Sequence, residues 1–485
     1  MTHPTFRHIV IAVAVAMFSF GNAHAGSNRP NILFILADDM GYGDMGFMGS
    51  KHLRTPHLDD LARSGVFCSQ GYVASPVCSP SRAGLITGRD PRRFGYEENL
   101  NKGASAYQTR PELLGLAPGE HTLGDHMRAA GYTTGLIGKW HLGTGPEFHP
   151  NRRGFDYFCG MLTGGHSYFP KPDKNGLERN GEPLTEFSSP YLTDFFTDEA
   201  LGWLNKQTWN DDKSWFLFLS YNAPHGPMHA TEEDLARFPE ITDKKRRTYA
   251  AMMWALDRGI GRIQDWLKQN NLSKNTLIVF FSDNGGATSN ASWNGPLSGS
   301  KGNLREGGVR VPMFWSWPGT IPAKTQYDAP ASSLDLLPTF MAAAEANPLP
   351  LRKPLAHEDR RNFARGVKKY GAYDGIDLLP MLKGETPAKE RTLFWRLQGQ
   401  TAIRNGTDKL IRLSHRPPQL FRPATDVGEA HDLSAKESGR FESLFRELAE
   451  WEASLPTVPL WGSSPFWTGE GARNYDEWVP KPEPR

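Results

Sequence analysis

Three continuous apolar runs of strand length punctuate the chain: Asn31–Ala37 (NILFILA), Trp215–Leu219 (WFLFL) and Thr276–Phe281 (TLIVFF). A run without polar alternates belongs to a strand covered on both faces, since a half-exposed strand would alternate. Between the runs, apolar residues recur at helical spacing over Leu58–Arg63, Thr122–Ala130 and Asp194–Lys206, and longest over Lys244–Gln269. Strands alternating with helices predict an α/β fold, with a large mixed, mostly parallel sheet sandwiched by helices. Ligands of such sheets bind beyond the carboxyl ends of the strands. Asp38-Asp39 and Asp283-Asn284 fall at those ends.

The pattern changes near residue 385. Thr392–Leu397, Thr401–Arg404 and Lys409–Leu413 are short and predict antiparallel strands, with Asn405-Gly406 as a hairpin turn. Glu437–Glu452 is amphipathic and helical, and residues 345–372 are rich in Pro, Lys and Arg, as expected of an exposed connection. The expected organisation is a large domain over 26–384 and a smaller C-terminal α+β subdomain over 385–485.

The start of the chain carries Arg7, an apolar stretch Ile9–Phe20 and Ala23-His24-Ala25. That is the layout of a signal peptide, residues 1–25, cut after Ala25. The stretch is too short to span a bilayer comfortably, so a periplasmic or extracellular protein without a stable membrane anchor is expected. Net charge is +2 over 485 residues, which gives no basic surface for nucleic acid. An anionic ligand must therefore meet local positive charge. The three cysteines, Cys68, Cys78 and Cys159, make no disulfide framework. Cys68 and Cys159 sit in apolar contexts expected of small buried side chains; a bridge between them follows no spacing rule.

Adjacent carboxylates at a strand end are costly unless a cation neutralises them. The oxygen donors of Asp38, Asp39, Asp283 and Asn284 suit a hard divalent ion, Ca²⁺ or Mg²⁺. Cys78-Ser79-Pro80-Ser81-Arg82 opens a predicted helix, with the cysteine at its start and Arg82 one turn on. A helix N-terminus with an arginine fork favours oxyanions.

That pentapeptide resembles the Cys-x-Pro-Ser-Arg signature of type I sulfatases, within the alkaline phosphatase superfamily. Gly138-Lys139-Trp140-His141-Leu142-Gly143 is similar to the family's second signature. Pro224-His225, Ser282-Asp283-Asn284-Gly285 and Lys301 ahead of Glu306-Gly307-Gly308-Val309-Arg310 follow in family order. The resemblance runs from about Pro30 to about residue 340, and more weakly to the end.

The resemblance implies that a maturation enzyme oxidises Cys78 to formylglycine, whose hydrate attacks sulfur. It implies a metal, Ca²⁺ rather than Mg²⁺, held by Asp38, Asp39, Asp283, Asn284 and the modified Cys78. Arg82 and Lys139 would balance charge on nucleophile and sulfate. Lys301 and His225 would face the bridging oxygen, one of them protonating the leaving alcohol. His141 would take the proton whose loss expels sulfate. By position, the loop Gly164-Gly165-His166-Ser167 offers His166, then Ser167, as substrate contacts. Asn303 and Arg305 in the Lys301 loop are further candidates, as is Arg404, with Trp293 and Trp395 shaping an outer pocket. A sulfated polysaccharide or glycosaminoglycan is the favoured substrate. Two alternatives stay open: a phosphate or phosphonate ester hydrolase of the same superfamily, and a non-catalytic carbohydrate-binding protein on this fold.

Overall fold

The structure, a computed structural model, describes residues 29–100, 114–171, 176–208, 213–350, 373–414, 416–455 and 483. The expected signal peptide and residues 351–372 of the expected connection lie outside these. No helix among the described residues is long and apolar enough to cross a membrane.

A ten-stranded sheet forms the centre. Its order is Thr325–Tyr327, Val66–Cys68, Met313–Ser316, Thr276–Ser282, Asn31–Ala37, Trp215–Ser220, Thr133–Lys139, Tyr157–Met161, Leu177–Arg179, Glu182–Pro183. The five strands from Thr276–Ser282 to Tyr157–Met161 are mutually parallel. Met313–Ser316 runs antiparallel beside them, so the sheet is mixed and mostly parallel, as expected.

The apolar run at Asn31–Ala37 is fully buried because its alternate residues serve two cores. Ile32, Phe34 and Leu36 point to one side, where Phe34 stacks on Phe218 at 4.7 Å and meets Phe340 of the helix Leu336–Ala343 at 5.9 Å. Leu33, Ile35 and Ala37 point to the other, toward helices Leu192–Gln207 and Lys244–Gln269. Each leucine, isoleucine and phenylalanine among them contributes about 1.5–3 kcal/mol by leaving water. Lys244–Gln269 starts where Asp243 accepts from the Arg246 N–H at 2.6 Å, an N-cap bond.

The second sheet is antiparallel in chain order: Thr392–Leu397, Gln400–Asn405, Asp408–Leu413 and Arg416–Phe421. Gly406 takes φ +59° in the expected hairpin turn. Helix Ser438–Ala453 covers one face through Leu444, Leu448 and Trp451. The other face, with Leu393, Trp395, Ala402 and Ile411, joins the core of the large domain. Cys68, Cys78 and Cys159 are all buried and unpaired.

Candidate active site at the carboxyl ends of the strands

The parallel strands deliver their last residues to one edge. Asp38 and Asp39 follow Ala37, and Asp283 follows Ser282, its N–H bonded to the Ala37 carbonyl at 3.0 Å. Asp39 turns at φ +65° and His141 at φ +58°, a left-handed backbone that is uncommon outside glycine. Both bends come directly after strands and re-aim side chains at the sheet edge. Gly138 precedes Lys139 at φ +110°, and a Cβ there would lie 1.9 Å from the Ser220 carbonyl oxygen. The strands carrying Lys139 and Ser220 can approach only because that position is glycine.

Cys78 is the first residue of helix Cys78–Thr87. Its Sγ lies 3.6 Å from Asp38 Oδ1, 3.8 Å from Asp39 Oδ1 and 3.0 Å from Lys301 Nζ. Burial pushes the thiol well above its ordinary range, although Lys139 and Lys301 pull against it. The encoded thiol is thus a poor nucleophile, since the thiolate is the reactive form.

Three carboxylates interleave with three cations. Arg82 Nε donates to Asp283 Oδ2 at 2.9 Å, and its Nη1 donates to Ser220 Oγ at 2.7 Å and the Lys139 carbonyl at 3.1 Å. Lys139 Nζ reaches Asp38 Oδ2 at 2.5 Å. Lys301 Nζ reaches Asp39 Oδ1 at 2.6 Å and Oδ2 at 2.8 Å. Burial raises the Asp39 carboxyl, but Lys301, His225 and Lys139 outweigh it and hold the group well below the carboxylate range. Asp283 goes the other way, up to about 6, through burial and the neighbouring Asp38.

Two histidines close the other side. His225 Nε2 is 3.6 Å from Asp39 Oδ2, and its Nδ1 donates to the Gly226 carbonyl at 2.6 Å. Burial first, then Lys139 and Lys301, takes His225 down to about 4. Burial and the same cations with Arg82 hold His141 well below its ordinary value, and its Nδ1 is buried without a partner. Both rings are neutral at neutral pH.

The predicted catalytic and metal residues Cys78, Arg82, Lys139, His141, His225, Lys301, Asp38, Asp39, Asp283 and Asn284 therefore share one cluster. The substrate candidates are scattered. The Gly164–Ser167 loop lies over the histidines: a Cβ on Gly164 would meet the His141 ring at 2.6 Å. His166 and Ser167 are half-buried there, and His166 Nδ1 bonds to the Ser167 carbonyl at 2.7 Å. Asn303 is fully buried, its Nδ2 without a partner. Arg305 turns away toward the Glu429 carbonyl at 2.9 Å, and Arg404 is buried against Tyr72, Gln70 and Glu306. Trp395 is buried and donates to the Val73 carbonyl, while Trp293 lies beside Asp44.

Sequence reasoning did not single out Ser220, Asn99 or Tyr168. Ser220 braces Arg82 and also donates to the Lys139 carbonyl at 2.7 Å. Asn99 accepts from the Ser79 N–H at 2.8 Å, and the Tyr168 hydroxyl bonds to the His225 carbonyl at 2.8 Å. Ser220 alone had a signal, as the last residue of an apolar strand.

The oxygen donors of Asp38, Asp39, Asp283 and Asn284 come together around Asp39, whose N–H is 3.2 Å from Asp283 Oδ1, and such oxygens suit a hard divalent cation. One atom each from Asp38, Asp39, Cys78 and His225 also lie within 4.8 Å of one another, a group that includes His225, which was not among the expected ligands, and not Asp283. Asn284 adds a second sign, because its Nδ2 donates to Asp39 Oδ1 at 2.7 Å while its Oδ1 is buried without a partner. An orphaned carbonyl oxygen among carboxylates is what an oxygen-coordinated ion would use.

A mostly parallel sheet with acidic strand ends, basic side chains and a cysteine at a helix start fits a hydrolase of anionic esters. The chain belongs to the sulfatase family, whose profile matches residues 30–346, as the sequence resemblance led one to expect. It is 32% identical over 406 residues to N-acetylgalactosamine-6-sulfatase of Canis lupus familiaris, covering 80% of this chain and 73% of that protein. Against arylsulfatase A of Homo sapiens it is 29% identical, covering 96% and 94%. Among solved structures, Ps i-CgsB in complex with k-i-k-neocarrahexaose superposes at a TM-score of 0.79 with 37% identity, covering 92% of this chain and 98% of that one. The protein is a sulfuric ester hydrolase.

Proposed function

We propose that the protein hydrolyses sulfate esters of a sulfated carbohydrate, with Cys78 oxidised to formylglycine as nucleophile and Ca²⁺ held by Asp38, Asp39, Asp283, Asn284 and the modified Cys78. The observation that carries this reading is the setting of Cys78 Sγ, at a helix start, 3.6 Å from Asp38 and 3.0 Å from Lys301. A buried thiol with a raised pKa gives little nucleophilicity as encoded, whereas its aldehyde hydrate would present a hydroxyl at the same point. The cation, when bound, would polarise that hydroxyl and a sulfate oxygen.

The chain's own groups divide the remaining work. Arg82 and Lys139, both buried, hold positive charge against the developing oxyanion. Lys301 is protonated before reaction: burial opposes the charge, but Asp39 beside it outweighs burial and raises the ammonium pKa. His225 is neutral, with Nδ1 committed to Gly226. Lys301 is therefore the proton donor to the leaving oxygen, and His225 orients it. His141, neutral with an unpartnered Nδ1, accepts the proton whose loss releases sulfate. His166 and Ser167 contact the sugar from the loop above the histidines, with Asn303, Arg305 and Arg404 as outer candidates.

The saccharide class is supported by the neocarrahexaose complex of a relative that is 37% identical. Residues 1–25 direct export, and a formylglycine-generating enzyme is a transient partner. The catalytic domain spans 26–384 and the C-terminal subdomain 385–485. Peptide mass spectrometry of the Cys78 peptide, with steady-state turnover of matched sulfate and phosphate esters, tests the reading. The aldehyde mass, faster sulfate turnover and its abolition in a folded Cys78→Ala variant are expected. Converted protein that prefers phosphate, or turns over neither ester, overturns it. A panel of defined sulfated saccharides then fixes the sugar.

A further inference from the structure

Lys301 sits in a loop whose ends and middle are gripped from the C-terminal region. Glu429, between the second sheet and its helix, accepts from Ser298 Oγ at 2.6 Å and from the Glu306 N–H at 2.8 Å. These two bonds close the loop at either end. Inside it, Gln400 Nε2 donates to the Gly302 carbonyl at 3.0 Å, while the Gly302 N–H is held by the Pro76 carbonyl at 2.9 Å. Gly302, next to Lys301, is thus held through both its N–H and its carbonyl.

The grip is itself pinned. Lys409 Nζ, fully buried, lies 2.8 Å from Glu306 Oε1 and 3.1 Å from Glu429 Oε1. Glu306 stays ionised: burial raises it, but Lys409, Arg404 and Arg310 bring it down to about 2. Glu429 also holds φ +50°, a strained backbone for a residue with a side chain. Such a conformation persists where surrounding contacts over-determine it. A buried ion network of this kind adds little stability over apolar packing.

We infer that Glu429, with Lys409 and Gln400, is a positioning residue that holds the Lys301 ammonium at the reacting centre, so the C-terminal sheet completes the active site. This rests on the role given to Lys301 in the proposed function. A lysine that protonates a leaving oxygen matters most when that oxygen leaves badly.

The test compares Glu429→Ala, Glu429→Gln, Lys301→Ala and the double variant Glu429→Ala/Lys301→Ala. Turnover is measured on 4-nitrophenyl sulfate and on the poorer leaving group of 4-methoxyphenyl sulfate, with formylglycine content and melting temperature measured alongside. Glu429→Ala should lose at least about tenfold more kcat on the poorer leaving group. Glu429→Gln, which still accepts both loop hydrogen bonds, should recover most of it. Adding Glu429→Ala to Lys301→Ala should cost nothing more, because coupled residues are not additive. Equal losses on both esters, or additive losses, overturn the inference. A crystal structure of Glu429→Ala supplies an arm independent of turnover, with Lys301 Nζ expected to leave its 2.6 Å contact with Asp39. An unmoved Lys301 also overturns it. Converted wild-type protein without sulfate turnover defeats the functional reading alone.

Discussion

His126 should make the protein lose stability in mild acid. It lies fully buried on helix Leu123–Ala129. Its Nδ1 accepts from the Leu349 N–H at 3.0 Å, and its Nε2 meets the Tyr373 hydroxyl at 3.1 Å, which donates to the Leu349 carbonyl at 2.9 Å. This closed ring of bonds needs Nδ1 unprotonated. Burial, with His121 nearby, takes His126 from 6.5 down to about 4. The unfolded chain then binds the proton more readily, so stability is complete above about pH 6.5 and is lost as pH falls toward 4. Linkage gives a loss of about 2 kcal/mol between pH 7.5 and 5, and about 3 kcal/mol in full. For a chain of this size, 2 kcal/mol corresponds to roughly 2 °C in Tm. The assay is thermal melting of wild type and His126→Gln across pH 4.5–8. Other groups titrate in both proteins, so the difference in slope isolates His126. Equal slopes below pH 6.5 would refute the reasoning.

Arg82→Met leaves Asp283 buried beside Asp38 without its guanidinium. Breaking one partner of such a pair costs about 3–5 kcal/mol, so calorimetry should show Tm lower by about 3–5 °C and turnover lost; an unchanged Tm contradicts the pairing. Chelation of the purified protein should lower Tm and abolish turnover, with Ca²⁺ restoring both, and Asn284→Leu should bind the ion more weakly by calorimetric titration. Full activity and stability in excess chelator would remove the metal from the reading.

Much of the fold was legible because burial on both faces writes itself as an uninterrupted apolar run. Asn31–Ala37 and Lys244–Gln269 form with the expected ends, and Asp38, Asp39, Asp283 and Asn284 were legible as a group because they abut such runs. Arg416–Phe421 was not, since two prolines disguise an edge strand that needs few N–H donors. Met313–Ser316 is too short for its periodicity to speak. The surroundings of Arg305 and Arg404 were illegible for a different reason. Their partners Glu429, Glu306 and Tyr72 are set by packing of the second sheet on the first, and no local pattern encodes it.

The interleaving of Asp38, Asp39 and Asp283 with Arg82, Lys139 and Lys301 leaves the centre electrically neutral before anything binds. A divalent ion would add two positive charges. On the proposed mechanism a sulfate monoester would bring one negative charge and an ionised attacking hydroxyl the second, so the loaded centre would return to neutrality. A phosphate monoester dianion would overshoot. Inorganic sulfate, however, carries both charges by itself, so the released product satisfies the centre as fully as the reacting pair does. On the proposed mechanism, product release, rather than bond cleavage, is then the step that this charge balance would slow.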